Sequence, residues 1–365
     1  MNNSIRIIIS GGGTGGHVFP AIAIADAIRK QKPEAELLFV GALGKLEMEK
    51  VPKAGYPIEG LWISGFQRSL SVQNLLFPVK LIASLGKALR ILLSFKPQLV
   101  IGVGGFASGP LLEMATRLGI PALIQEQNSY AGVTNKLLGK KVKRVCVAYD
   151  GMENYFPASK IALTGNPVRS NLAVLPDANA AKAELGLEAS KKTLLIVGGS
   201  LGALAINEAM ANNTAFLQQH PELQVIWQCG GSHFEKYRDC ATAQLPNVKL
   251  SAFIERMDLA YAAADLVASR AGALTISELC LVGKPAILIP SPFVAEDHQT
   301  KNAQALVAKD AALLVKNQDA NQDLLPLAWD LLMDDAKRNA LAHNIQELAK
   351  PNAAAAIAAE ALSLI

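Results

Sequence analysis

A β-branched run, a glycine turn and an apolar-periodic segment follow one another twice in this chain, as RIIISGGGTGG at 6–16 and TLLIVGGSLGA at 193–203. Strand, tight turn and helix in that order open a nucleotide-binding α/β half. Elsewhere short β-branched runs alternate with helical patterns almost throughout, which predicts parallel sheets wrapped by helices. The expected strands of the first half are Arg6–Ile9, Leu37–Val40, Leu99–Ile101, Ala122–Ile124 and Arg144–Ala148. Those of the second are Thr193–Val197, Gln224–Gln228, Val248–Leu250, Leu266–Ala268 and Ala286–Ile289. The segment LTGNPVRSNL at 163–172, followed by PDANA, breaks this rhythm with Gly, Asn and Pro and marks a joint. The chain is therefore read as α/β, with two Rossmann-like domains at 1–165 and 166–350. The Ala-rich terminal segment 351–365 has high helix propensity and ends in an apolar cluster of Leu362, Leu364 and Ile365. Such a helix needs a surface to dock on, and the first domain is the expected one.

Composition narrows the class. A chain of 365 residues, 51% of them apolar, has material for two cores. The opening MNNSIRIIIS turns into glycine before a signal-peptide core forms, and no run approaches the ~18 apolar residues of a membrane span. Cys146, Cys229, Cys240 and Cys280 are scattered without a C-x-x-C pair and read as reduced thiols of a cytoplasmic protein. A net charge of +4 is too mild to argue for nucleic acid and suits an anionic ligand or an acidic membrane surface.

Three glycine-rich loops follow expected strands: SGGGTGGH at 10–17, GVGGFASG at 102–109 and GGSLGA at 198–203. Glycine lets backbone N–H groups approach a ligand, and a helix N-terminus favours phosphate. Three such loops at the carboxyl ends of parallel strands point to a shared crevice. Gly11, Gly13 and Gly16 satisfy G-x-G-x-x-G, which raises a dinucleotide dehydrogenase. The second strand, however, ends in Val40 and Gly41 with no acid for a ribose, Glu36 standing at its other end, and no Walker loop occurs. The dehydrogenase reading falls behind.

His17 follows the first loop at a helix start, where the dipole disfavours imidazolium and keeps a neutral ring able to accept a proton. The ordinary alternative is a histidine that caps or fills space. In SRAGALTISELC at 269–280, Gly272 makes a turn and a helix begins near Ala273 or Leu274. Thr275 and Ser277 then offer hydroxyls to phosphate and Glu278 a carboxylate to a ribose; a capped helix with a dipole-stabilising Glu is the bland version. Asp297, His298, Gln299 and Asn302 surround another helix start, or else a solvated loop. In the stretch 69–93, Leu75, Leu76, Val79, Ile82 and Ala83 form an apolar stripe with Lys80, Lys87 and Arg90 nearby. That stripe suits an anionic bilayer or a domain core, and Pro78 is expected to divide it.

Taken in order, GGGTGGHVFPA, GVGGFASGP, QEQN, TGNPVR, GGSLGA, SRAGALTISEL and DHQTKNA span the chain. This ordered set resembles the MurG family of peptidoglycan N-acetylglucosaminyltransferases, within the GT-B class. The resemblance implies two Rossmann-like domains facing a cleft, with the C-terminal helix returning to the first. It implies UDP-N-acetylglucosamine as donor, held mainly by the second domain. The implied acceptor is undecaprenyl-linked lipid I, approached from the first domain by a peripheral protein on the cytoplasmic face of the bacterial inner membrane. Transfer inverts the anomeric centre.

Matched motif by motif, the resemblance sets Thr14, Gly15 and Gly16 beside the donor sugar and the reaction centre. Asn128 contacts the sugar, Arg169 and Ser200 the diphosphate side, and Ile254 the uracil. The run Ala273, Leu274, Thr275, Ile276 and Ser277 binds phosphate and ribose, Glu278 takes the ribose hydroxyls, and Gln299 holds the sugar. His298 and Thr300 depart from the paired glutamines of some members. His17 is the expected general base, with Glu126 as fallback; a hydrogen-bonding role is the alternative for Glu126. No D-x-D occurs anywhere, so neither metal nor cofactor is expected, and the charge of the leaving diphosphate falls to helix N-terminus, loop amides and Arg169. Two other readings stand beside this one: another GT-B UDP-sugar transferase, and a non-catalytic sugar-nucleotide-binding protein.

Overall fold

The computed structural model describes residues 4–64, 76–168, 172–199 and 202–365. The chain divides into two compact units, Met1–Val168 with Asn352–Ile365, and Arg169–Pro351.

The first unit carries strands β1 (Arg6–Ser10), β2 (Glu36–Ala42), β3 (Ile58–Leu61), β4 (Leu99–Gly102), β5 (Ala122–Glu126), β6 (Arg144–Val147) and β7 (Ile161–Leu163). Its helices are α1 (Gly15–Gln31), α2 (Glu47–Lys53), α3 (Phe77–Phe95), α4 (Ser108–Arg117) and α5 (Val133–Gly139). The sheet is parallel in the order β3-β2-β1-β4-β5-β6-β7. The Ile triplet of β1 shows why this strand is central. Ile7 and Ile9 enter one buried cluster, Ile8 the opposite one, because successive side chains point to opposite faces and helices cover both.

The second unit repeats the plan with β8 (Lys192–Val197), β9 (Leu223–Gln228), β10 (Val248–Ser251), β11 (Leu266–Ser269), β12 (Ala286–Leu288) and β13 (Leu313–Leu314). Its helices are α6 (Ala178–Glu184), α7 (Leu204–Asn212), α8 (Thr214–Gln219), α9 (Phe234–Tyr237), α10 (Met257–Ala263), α11 (Ala273–Val282), α12 (His298–Val307), α13 (Ala320–Met333) and α14 (Asp335–Glu347). The parallel order is β10-β9-β8-β11-β12-β13. Each sheet thus reverses direction once, between β1 and β4 and between β8 and β11, and ligands of open α/β sheets bind at the carboxyl ends of such pairs.

The last helix, α15 (Ala353–Leu362), returns to the first unit and packs on α1. Its alanines let the two helices approach closely, and Ile357, Ala358 and Ala361 are fully buried. The Ile357 side chain contributes about 1.5–3 kcal/mol by burial. Arg144 pairs with Glu360 at 2.8 Å and fixes the far end. Leu362 and Leu364 pack on the same core, whereas Ile365 is exposed.

Three strands were not expected from the sequence: β3, β7 and β13. All are sheet edges of two to four residues; β3, IEGL, mixes Glu and Gly into its run. Pro78 also corrects an expectation. Helix α3 runs unbroken from Phe77, with Pro78 in its first turn, where a missing N–H interrupts no helical bond. The stripe itself faces outward. Leu76, Val79 and Ile82 are 45%, 53% and 70% exposed and Ala83 is exposed, while Ser84, Ala88, Ile91 and Leu92 make the buried face. Core packing therefore does not explain it; Leu75 lies outside the described residues. Among the described residues no helix is long and apolar enough to cross a membrane.

Candidate active site

At the reversal point of the first sheet, the loops after β1 and β4 lie on each other. The Gly12 N–H donates to the Gly104 carbonyl at 3.3 Å. Gly105, at φ +91°, stands so close that a Cβ would meet the Gly12 oxygen at 2.4 Å. A Cβ on Gly104 would meet the His17 ring at 2.7 Å. Gly104 and Gly105 thus admit an imidazole and a neighbouring backbone.

His17 sits in the first turn of α1, half-buried. Its Nδ1 lies 3.0 Å from the Gly12 carbonyl and 3.5 Å from Thr14 Oγ1. A carbonyl only accepts, so Nδ1 carries the proton and Nε2 is the basic nitrogen of the neutral ring. Thr14 and Gly16 are exposed and Gly15 half-buried at the mouth of the helix, whose N-cap Thr14 makes no side-chain cap.

Glu47 escaped the sequence reading. It is fully buried, accepting the Gly13 N–H at 2.8 Å and the Ala42 N–H at 2.9 Å. One amide of the first glycine loop is therefore taken by a carboxylate of α2.

The QEQN and TGNP motifs interlock. Gln125 Nε2 donates to Asn166 Oδ1 at 2.8 Å, and Asn166 Nδ2 to the Gln127 carbonyl at 3.0 Å; Gln127 Nε2 reaches the Val103 carbonyl and Gln125 Oε1. Glu126 is buried and accepts four bonds, from the backbone and side-chain nitrogens of Asn128, from Gly132 N and from Asn135 Nδ2. A carboxylate so engaged organises the loop that follows β5. Asn128 is held half-buried by it.

In the second unit the reversal point presents the start of α11. Gly272 caps it in extended conformation without a side-chain acceptor, and the Ile276 N–H makes the first helical bond, to Gly272 at 2.9 Å. The amides of Ala273, Leu274 and Thr275 precede that bond and face outward at the positive dipole end. These three residues are half-buried, and Thr275 Oγ1 lies beside the Gly272 turn. Ser277 donates its hydroxyl to the Ala273 carbonyl at 2.9 Å, and the Ile276 side chain is buried. Glu278 is buried and accepts the Tyr261 hydroxyl at 3.0 Å, which fixes its carboxylate one turn into the helix.

Arg270, also missed, follows strand β11. It donates to the carbonyls of Ile289 and Pro290 and to Asn317 Oδ1, with no carboxylate partner among the described residues. Burial pulls its pKa down to about 10, so it remains a cation at neutral pH. Buried Asn302 ties α12 to the Ala271 carbonyl at 3.4 Å, and Gln299 Oε1 accepts the Ser291 N–H at 2.9 Å. Glu296 and Asp297, at φ +56° and +52°, kink the chain just before His298, and Asp297 accepts from Thr300 Oγ1. Ile254 is half-buried in the loop after β10. In GGSLGA, a Cβ on Gly202 would strike the Cys229 carbonyl at 2.1 Å, whereas Gly199, at φ +85°, has nothing within 4 Å. Arg169 and Ser200 lie outside the described residues. Among the described residues no three His, Cys, Asp or Glu side chains gather as metal ligands.

Two Rossmann-like units in tandem, each with a helix start at its reversal point, are the GT-B fold. The profile of the glycosyltransferase family 28 N-terminal domain matches residues 7–147, and that of the family 28 C-terminal domain residues 193–360. The chain belongs to glycosyltransferase family 28 and is a glycosyltransferase. It is 52% identical, over 100% of its length and 97% of the relative's, to a Bacteroides fragilis protein. That protein is named UDP-N-acetylglucosamine--N-acetylmuramyl-(pentapeptide) pyrophosphoryl-undecaprenol N-acetylglucosamine transferase. A Bacteroides thetaiotaomicron protein of the same name is also 52% identical, over 100% of this chain and 99% of its own. The crystal structure of Acinetobacter baumannii MurG superposes with a TM-score of 0.81 at 31% identity, covering 98% of this chain and 99% of that one. UDP-GlcNAc 2-epimerase from Neisseria meningitidis, bound to UDP-GlcNAc, shares the fold at 15% identity and a TM-score of 0.67, over 98% and 100% of the two chains.

Proposed function

We propose that this enzyme transfers N-acetylglucosamine from UDP-N-acetylglucosamine to the 4-hydroxyl of the N-acetylmuramoyl-pentapeptide of undecaprenyl-linked lipid I, giving lipid II for peptidoglycan. The observation that carries this reading is the 52% identity, over the full chain, to relatives named for that reaction. His17 Nε2 takes the proton of the attacking hydroxyl as the new bond forms at C1 from the face opposite UDP, and the anomeric centre inverts. The diphosphate leaves with its growing charge against the amides of Ala273, Leu274 and Thr275, the α11 dipole and the Arg270 cation. These groups are fixed before the reaction, so they need no reorganisation as the charge develops. Glu278, held by Tyr261, accepts from the ribose hydroxyls. Arg169 and Ser200 belong to the diphosphate side, Ile254 to the uracil, and Thr14, Gly15, Gly16, Asn128 and Gln299 to the sugar. Release of UDP is measured with a short-chain lipid I analogue against a panel of nucleotide sugars. Release confined to UDP-N-acetylglucosamine supports the proposal. A different preferred sugar favours another GT-B transferase, and binding without release favours a catalytically silent protein.

The acceptor is lipid-linked, and we place the enzyme peripherally on the anionic cytoplasmic face of the inner membrane. The outward seam of Leu76, Val79 and Ile82 on α3 supports this, with Lys80, Lys87 and Arg90 on the same helix. Lys80 also reaches over the exposed Trp62 ring, and Lys87 pairs with Glu59 at 3.4 Å. Replacing the three cations with Glu weakens sedimentation with anionic vesicles; undiminished binding removes the proposal.

A further inference from the structure

Glu47 has no part in the transfer chemistry set out above, yet its setting is built with care for it. Two glycines make its slot: a Cβ on Gly12 would stand 2.0 Å from Oε1 and one on Gly41 2.4 Å from Cγ. Both carboxylate oxygens accept backbone amides, Oε1 from Ala42 and Oε2 from Gly13. Among the described residues no lysine or arginine pairs with this fully buried group. The N–H it takes from Gly13 belongs to the same peptide unit as the Gly12 carbonyl. That carbonyl accepts Nδ1–H of His17 at 3.0 Å. Carboxylate, amide and imidazole therefore stand in one line of hydrogen bonds.

We propose that Glu47 is a positioning residue for His17, acting through the Gly12–Gly13 peptide. The anion polarises the amide, since bonds in such a chain strengthen one another in a low-dielectric setting. The polarised carbonyl holds Nδ1–H, fixes the ring and its tautomer, and enriches Nε2. A carboxylate bonded directly to a catalytic histidine does the same work in hydrolase triads; here a peptide unit is interposed. No proton travels along the line: Gly13 keeps its N–H, His17 its Nδ1–H, and the acceptor's proton arrives at Nε2. Segments 11–16 and 102–109, which enclose the ring, carry no ionisable side chain. Glu126, at the end of β5, is turned to Asn128, Gly132 and Asn135.

This inference rests on His17 as the general base, and its test separates the two. The imidazole of His17, one of five histidines, is assigned by 15N NMR through its loss in His17→Asn. In the wild-type chain the neutral ring shows protonated Nδ1 and unprotonated Nε2; the opposite tautomer overturns the proposal without any variant. Glu47→Gln presents an NH2 group to one of the two amides. Its expected effects are a His17 titration midpoint lower by about half a pH unit, and a kcat lower by about tenfold with donor KM within about twofold. The acidic limb of kcat/KM moves down with the midpoint. Glu47→Asp, which keeps the charge and loses reach, recovers part of the midpoint shift. A folded Glu47→Gln protein with wild-type tautomer, midpoint and kcat defeats the relay, while loss of turnover in His17→Ala in the same series leaves the base assignment standing.

Discussion

Replacing Gly104 with alanine places a methyl group against the imidazole of His17, the proposed general base. The added Cβ would stand 2.7 Å from His17 Cδ2 and 2.9 Å from Nε2. Carbon atoms rest about 3.5–4.0 Å apart, so the ring must retreat by about 0.8 Å or more. Its anchor is the 3.0 Å bond from Nδ1 to Gly12, and a shift of that size lengthens or misaligns it past useful geometry. Misplacement of a catalytic group by about 1 Å costs about 10²-fold in rate. Gly104 also adopts φ +98°, where a side chain adds about 1–3 kcal/mol of backbone strain. Gly119→Ala separates the two effects, because Gly119 sits at φ +73° with nothing within 4 Å of an added Cβ. UDP release with a lipid I analogue should fall by about 100-fold in Gly104→Ala, with donor KM within about twofold, since Gly104 is not among the residues proposed to hold the donor. Gly119→Ala should keep its kcat. A Gly104→Ala enzyme within about threefold of wild type, or a Gly119→Ala enzyme equally impaired, would refute the argument that Gly104 exists to seat His17.

His17→Ala should lower kcat by about 10² to 10⁴ and leave UDP affinity, measured by calorimetry, nearly intact. Tyr261→Phe removes one bond to the Glu278 carboxylate and should raise donor KM by about fivefold with little change in kcat, read from initial rates. Turnover in a preparation stripped with EDTA should persist at its full rate; loss restored by Mg²⁺ or Mn²⁺ would assign the diphosphate charge to a metal. Burial pushes the Cys146 and Cys280 thiols up to about 12. The unfolded chain gives up these protons from about pH 8.5 while the native one holds them, so stability is full below that pH and declines towards pH 12, by up to about 1.4 kcal/mol per thiol per pH unit. Urea midpoints at pH 8 and 10 should show this, with a smaller decline in the Cys146→Ala, Cys280→Ala protein.

The central strands were legible because they are buried on both faces and read as unbroken β-branched runs, Ile7–Ile9 being the clearest. Edge strands β3 and β13 were not, since one neighbour and two to four residues leave little pattern to select. The start of α11 could be read from Gly272 and the helical spacing after it. Its electrostatic company could not. Arg270 looks from sequence like any cation that follows a strand, and only the fold shows its guanidinium bound to carbonyls and an amide, with no carboxylate partner among the described residues. Glu47 is the sharper case, because its amide partner Gly13 lies 34 residues away and the slot that receives it is made by Gly12 of the first loop and Gly41 of strand β2. Pro78 misled for a simple reason: the same residue that breaks a helix interior also opens a helix well.

The most direct measurement is a crystal structure of the chain with UDP-N-acetylglucosamine. Diphosphate oxygens about 2.7–3.2 Å from the amides of Ala273, Leu274 and Thr275, with the ribose hydroxyls on Glu278, are the expected result. A nucleotide that leaves the α11 N-terminus to water and seats its phosphates elsewhere would contradict it.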